Sequence, residues 1–179
     1  MSRANYQMPK TNLEKYMNSI KLVMESETFH QDPDTNTKTN TIPSFDIYLS
    51  KLRTHQTSLL SNISTSDTSI NVANSSLMYS SLINMANDCL DILTKNNKDN
   101  LSKEDIIESN RILFEKKNKD YGNSFEDFAI IGIIVRLNDK INRILNLSKS
   151  EIKELVVDES IEDTINDLYN YCVIGLIYK

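Results

Sequence analysis

The sequence predicts an all-α protein, a helical bundle of about six helices, and three observations lead to this prediction. Apolar residues recur at the i, i+3, i+4, i+7 spacing of amphipathic helices along most of the chain. Glycine and proline occur three times each, too rarely for the many tight turns of a β protein. No Asn-Gly or Asp-Gly pair separates two alternating runs, so the usual sign of a β-hairpin is missing.

The first hundred residues predict three helices joined by polar segments. A helix at roughly 11–27 precedes a polar loop at 28–43. Ser44 can cap the second helix, and a turn rich in Ser, Thr and Asn separates that helix from the third. The polar run at 94–100 ends the third helix. We therefore interpret residues 1–100 as a helical N-terminal extension.

A fourth helix is predicted where the polar run ends. Ser102 and Asp105 have the spacing of a capping box at the start of a helix over about 103–118. The segment 119–125 is predicted to interrupt it, because Gly122 can take the left-handed conformation that often ends a helix.

Residues 101–179 form a second region, which begins with the fourth helix and contains the last two helices. The fifth runs from about 126 to 147 and is apolar around most of its circumference. Ser160 and Asp163 form a second capping box for a last helix that runs nearly to the end of the chain. Three helices cannot enclose so apolar a fifth helix, so either the N-terminal helices or a second subunit must cover it.

Composition and charge exclude several classes of function. The net charge of −5 argues against a general nucleic-acid-binding surface, which needs clustered Lys and Arg. There is no run of 18 apolar residues and no apolar start typical of a signal peptide. Cys89 and Cys172 are too few for a disulfide framework and predict free thiols in a reducing compartment. Together these features predict a soluble, cytoplasmic protein.

The fifth helix carries a narrow charged stripe. Arg136, Asp139, Lys140 and Arg143 fall within about 100° of one another on an otherwise apolar helix. In one interpretation the stripe faces an interior cleft, where buried charges must be paired or hold a ligand. In the other, the stripe is a solvated face on which Asp139 and Arg143 form a surface ion pair. Both histidines lie in the first third of the chain, so a site here works without histidine.

The last helix carries acids on one face. One face carries Glu159, Asp163, Asp167 and Asn170, at i, i+4, i+8 and i+11. Like charges at the i, i+4 spacing repel mildly. A bound Mg²⁺ would relieve the repulsion, because hard cations prefer carboxylate ligands. The alternative is that acids near a helix start interact favourably with the helix dipole. That explanation does not extend to Asp167, which lies two turns into the helix.

The fourth helix has a mixed charged face made by Glu108, Arg111, Glu115 and Lys119. In isolation such a face is typical of a solvated surface. It gains interest from the segment that follows it, which contains the element Lys-Asp-Tyr-Gly.

Three blocks in order along the chain resemble the nucleotide modification associated domain 1 family, which is found largely in phages and other viruses. The blocks are 115–125, which contains Lys-Asp-Tyr-Gly, 132–143, which contains Arg-Leu-Asn-Asp-Lys-Ile-Asn-Arg, and 158–171, which contains Asp-Leu-Tyr-Asn-Tyr. The resemblance covers the chain from near residue 104 to its end.

The family is similar to the MazG-like all-α nucleotide pyrophosphohydrolases, and this similarity implies a MazG-like bundle for the last three helices. It implies a nucleotide substrate, a homo-oligomer with a dimer favoured, and Mg²⁺ as cofactor, with Mn²⁺ as the alternative ion. It implies metal contacts by Glu108, Glu115, Glu159, Asp163 and Asp167. It implies catalytic roles for Glu115 and Asp167, and substrate contacts by Lys119, Asp120, Tyr121, Arg136, Lys140 and Arg143.

The function expected from these features is Mg²⁺-dependent hydrolysis of a nucleoside or deoxynucleoside triphosphate to a monophosphate and pyrophosphate, in a host cytoplasm if the protein is viral. The residues leave two other classes open. One is a nucleotide-binding module without turnover, and the other is a helical scaffold or virion-associated protein whose charged stripes are interhelical ion pairs. Neither direct nucleic-acid binding nor a membrane partner is expected.

Overall fold

The computed structural model describes residues 10–28, 45–61, 72–96, 99–121, 129–148 and 160–179. These ranges contain six α-helices, a short 3₁₀ turn and no strand, which confirms the all-α prediction. The helices are α1 Lys10–Thr28, α2 Phe45–Ser61, α3 Val72–Asn96, α4 Lys103–Tyr121, α5 Ala129–Leu147 and α6 Ile161–Gly175, and the 3₁₀ turn is Leu176–Tyr178.

Both predicted capping boxes are present. At the start of α4, Asp105 N donates to Ser102 Oγ at 3.2 Å, and Ser102 N donates to Asp105 Oδ2 at 3.0 Å. At the start of α6, the same reciprocal bonds join Ser160 and Asp163 at 3.0 and 3.1 Å. Each box satisfies backbone N–H groups that have no partner within the helix, so each fixes where its helix begins.

Two helix ends differ from the prediction. α4 continues to Tyr121, because the residues after 118 include no helix breaker before Gly122. α6 stops at Gly175, where the N–H of Leu176 turns to the carbonyls of Cys172 and Ile174 and starts the 3₁₀ turn.

Several other expectations concern residues outside the described ranges. These are the cap at Ser44, the loop at 28–43 apart from Thr28, which belongs to α1, most of the turn at 61–69, Gly122, and the start of the fifth helix before Ala129.

A single cluster of buried apolar side chains joins all six helices. α6 lies at its centre and packs against α3 and α5. Gly175 allows a close approach at the end of α6, because a Cβ there would lie 2.9 Å from Leu82 Cδ1 on α3. None of the described helices is both long and apolar enough to cross a membrane.

The apolar α5 is covered on two sides. α6 packs along one side, and α2, from the N-terminal region, packs along another. Gln56 on α2 donates to Asn138 Oδ1 at 2.7 Å and to Asn142 Oδ1 at 2.9 Å. Cover by an N-terminal helix, the first of the two alternatives expected from the sequence, is therefore present.

Candidate functional site

A lysine–aspartate cluster of Lys117, Lys140 and Asp167 joins α4, α5 and α6. Lys140 Nζ lies 2.7 Å from Asp167 Oδ2, and Lys117 Nζ donates to Asp167 Oδ1. The aspartate side chain is 11% exposed, whereas those of Lys140 and Lys117 are 20% and 47% exposed. A buried carboxylate thus anchors two ammonium groups at the protein surface, and the cluster as a whole carries one net positive charge.

The ionisation of Asp167 follows from these partners. Burial by itself favours the neutral acid, but the hydrogen bonds and charges of Lys117 and Lys140 outweigh it and lower the pKa of Asp167. The carboxylate is therefore ionised at neutral pH. Because both of its oxygens already accept from lysines, its role in this arrangement is to position the two cations.

An amide network lies next to this cluster and fixes the orientation of α6. It consists of Tyr16, Asn110, Asn166 and Asn170, which come from α1, α4 and α6. Asn110 donates to Asn166 Oδ1 at 2.8 Å, and Asn170 donates to Asn110 Oδ1 at 2.8 Å. These bonds hold the residues on either side of Asp167, so they restrict rotation of α6 about its axis.

α1 contributes to the network through Tyr16. Its hydroxyl donates to Asn170 Oδ1, and its ring stacks on Phe114 of α4 with centroids 4.0 Å apart and planes 6° apart. Burial raises the pKa of Tyr16 well above its ordinary value, so the hydroxyl keeps its proton and remains a donor.

The predicted acids of α4 interact with a cation of their own helix. Arg111 donates to both oxygens of Glu108, at 2.7 and 2.8 Å, and also to Glu115 Oε1. Glu108 is 57% exposed and Glu115 is 30% exposed. The three described residues of this mixed face therefore form an ion cluster at the surface, which is typical of such a spacing in isolation.

The acids predicted on α6 have different environments. Asp163 is exposed and caps its own helix, whereas Asp167 is buried in the lysine–aspartate cluster. Within the part of the chain that the structure describes, no three Asp, Glu, His or Cys side chains come together as a group that could hold a metal ion. Glu159 lies outside the described residues, and so do the side chains of Lys119, Asp120 and Tyr121.

The charged stripe of α5 divides along its length. Arg136 and Asp139 are exposed, whereas Lys140 and Arg143 are half-buried. Of this stripe, Lys140 reaches the cluster on α6. The structure thus combines parts of both interpretations, with a solvated N-terminal part and an interior contact one turn later.

Sequence reasoning singled out Asp167 and Lys140 and placed Asn170 on the same face of the last helix as Asp167. It missed Lys117 and the amide network to which Asn170 belongs. Lys117 lies among other lysines in a charged run, and only its position on α4 relative to α6 distinguishes it. The asparagines share a face at i, i+4 on α6, with Asn166 followed by Asn170. That spacing was the one signal in the sequence that could have indicated a buried polar contact.

The comparisons with known proteins concern the same part of the chain. No curated protein and no solved structure matches the chain. The family model that matches covers about a third of the chain, including Lys117, Lys140 and Asp167. Residues 117–178 thus match the family of nucleotide modification associated domain 1.

Proposed function

We propose that the chain binds a nucleotide through its phosphate groups at the lysine–aspartate cluster. The observation that carries the proposal is a buried, ionised carboxylate that holds two lysines from two other helices at the surface. Phosphate oxygens accept strong charge-assisted hydrogen bonds from ammonium groups. Fixing the ammonium groups beforehand reduces the side-chain entropy that a ligand must otherwise overcome.

The charge around the cluster favours an anion. Arg136 lies one turn before Lys140 on the same face of α5, and Arg143 lies one turn after it. These two arginines outnumber Asp139, the acid on the same stripe, so the surface along α5 has an excess of positive charge. This excess supports a ligand with more than one phosphate group. The family match supports a nucleotide as the source of those phosphates, since it names nucleotide modification.

The described acids do not fit the Mg²⁺ site expected from the resemblance. Asp167 is held by two lysines, Asp163 caps α6, and Glu108 and Glu115 are bound by Arg111. A metal ion would have to displace a lysine or an arginine at Asp167, Glu108 and Glu115. At Asp163 it would have to break the capping bonds from Ser160. We therefore assign no metal-dependent step to these residues.

Hydrolysis is the narrower form of the proposal, and it rests on the resemblance to MazG-like enzymes. In that form the ligand is a triphosphate, and Asp167 or Glu115 accepts a proton from the attacking water. An ionised Asp167 is in the protonation state that a general base needs. The lysines bound to it would have to move towards the phosphates before it could act.

Thermal unfolding of the full chain with a panel of ribo- and deoxyribonucleoside triphosphates tests the binding proposal. A ligand at 100 times its Kd stabilises a protein by about 2.7 kcal/mol, which is readily measured. We expect triphosphates to stabilise the chain, and the parent nucleosides, which lack phosphate, to stabilise it less. No stabilisation by any nucleotide would leave the scaffold interpretation as the explanation of the charged stripes.

A coupled assay tests the hydrolysis proposal separately. Released pyrophosphate is converted to phosphate by a pyrophosphatase and detected, with and without Mg²⁺, for the same nucleotides. Release above an Asp167→Ala control supports turnover. Stabilisation without release would identify a binding module.

A further inference from the structure

A polar pocket of about 650 Å³ lies between α1, α2, α3 and the start of α4, outside the segment matched by the family. Its lining includes Lys51 and His55 from α2, Asn87, Asp88 and Asp91 from α3, and Lys103 from α4. The volume is in the range of small-molecule sites. Nothing in the proposed nucleotide site uses these residues.

The lysines and the aspartates of this polar pocket are equal in number. Asp88 accepts from Lys51 at 2.6 Å and from His55 Nε2 at 3.3 Å, and Lys103 lies 2.8 Å from Asp91. Burial opposes the ionisation of Asp88, but the bonds from His55 and Lys51 outweigh it and lower the pKa of this carboxyl. Two carboxylates therefore face two ammonium groups, and a ligand with a large net charge gains little here.

The neutral side chains add acceptors to the polar pocket. The hydroxyls of Ser26, Ser50 and Thr54 each donate to a backbone carbonyl three or four residues earlier in the same helix. Asn87 donates to Ser26 Oγ at 2.8 Å, and its own Oδ1 is buried without a hydrogen-bond partner among the described residues. The hydroxyl oxygens can therefore only accept from a ligand, while Lys51 and Lys103 can donate.

We propose that the polar pocket binds a neutral polyhydroxylated molecule, a sugar or a polyol. A hydroxyl group both donates and accepts, so several on one molecule match carboxylates, hydroxyl oxygens and ammonium groups together. Such a ligand also leaves the charge balance unchanged. His55 is the only ring among the described lining residues, so the pocket has no broad aromatic surface on which a base would stack.

Titration of the isotope-labelled full chain, followed by amide NMR, tests this inference. The probes are glucose, ribose and myo-inositol, with uridine as a nucleoside, and phosphate and spermidine as an anion and a cation. We expect saturable shifts at α2 and α3 with a sugar or polyol, at a Kd on the order of millimolar. The proposal is overturned if no sugar or polyol binds, if only uridine binds, or if a charged probe binds the pocket more tightly.

Matched variants locate the binding. Asp91→Asn removes a carboxylate of the polar pocket that is 44% exposed, and Asn84→Ala removes an exposed amide that lines it. Asp139→Asn, at an exposed carboxylate on α5, is the control. We expect binding to be about tenfold weaker in both pocket variants, which corresponds to about 1.4 kcal/mol, and we expect no change of Kd in the control. Binding unchanged in both pocket variants would place the ligand elsewhere and overturn the proposal.

Discussion

The hydroxyl of Tyr16 on α1 donates a hydrogen bond to Oδ1 of Asn170 on α6, so the N-terminal region contacts the matched segment through a buried polar bond. Both partners are almost fully inaccessible to solvent. A buried polar bond of this kind defines one relative position of two helices, because slippage would leave both groups without partners.

Tyr16→Phe tests the strength of this bond. The variant keeps the stacking on Phe114 but removes a donor from Asn170, and a buried acceptor left unpaired costs about 1–3 kcal/mol. We expect the free energy of unfolding in urea to fall by that amount. Tyr171→Phe is the control at a half-buried tyrosine of α6, and an equal loss there would contradict the assignment.

Lys117→Ala tests the phosphate contact. Lys117 belongs to the lysine–aspartate cluster. Its neighbour Lys116 is exposed and lies about 100° further around the helix, outside the cluster. Calorimetric titration should show triphosphate affinity about tenfold lower in Lys117→Ala and nearly unchanged in Lys116→Ala. Equal losses in the two variants would indicate only general attraction by positive charge, which added salt would screen.

The pH dependence of stability follows from Asp167. Its folded-state pKa lies below the unfolded value of about 3.9, so its contribution to stability is present above that value. The contribution is lost as the pH falls through the folded-state pKa. Urea unfolding between neutral and acidic pH should therefore depend less on pH in Asp167→Asn than in the wild type. Asp139→Asn, outside the cluster, should leave the wild-type dependence in place.

Loss of a capping box should destabilise the chain by a predictable amount. Ser160→Ala removes the side chain that accepts from Asp163 N, and such a change costs about 0.5–2 kcal/mol. Ser102→Ala should act similarly at α4. Thermal unfolding of Ser109→Ala, at an exposed position within α4, provides the comparison, and a loss there as large as at the caps would refute this account.

The two cysteines should report unfolding. Cys89 and Cys172 are free and fully buried, and burial raises the pKa of Cys89 to about 12. Only the thiolate reacts readily with alkylating agents, so native labelling should be slow at neutral pH. Mass spectrometry with iodoacetamide should show labelling that accelerates in urea along with the loss of helix. Rapid labelling without denaturant would contradict the buried positions.

The sequence allowed the helices and both capping boxes to be predicted, because these depend on local spacing. Ser160 and Asp163 are three residues apart, and the bonds between them need no information from the rest of the chain. The candidate site depends on contacts between distant residues. That Asp167 meets Lys117 follows from the packing of α4 beside α6, and no periodicity within either helix encodes that choice of neighbour.

Because α6 lies at the centre of the core, the segment matched by the family, residues 117–178, depends on helices outside it for its stability. α3, which lies wholly before the matched stretch, covers one side of α6, with Leu82 against Gly175. In a fragment limited to residues 117–178, that apolar side of α6 would be exposed to solvent. We expect such a fragment to self-associate, or to need another helix in place of α3. A fusion protein that contains residues 117–178 would therefore need α3 as well.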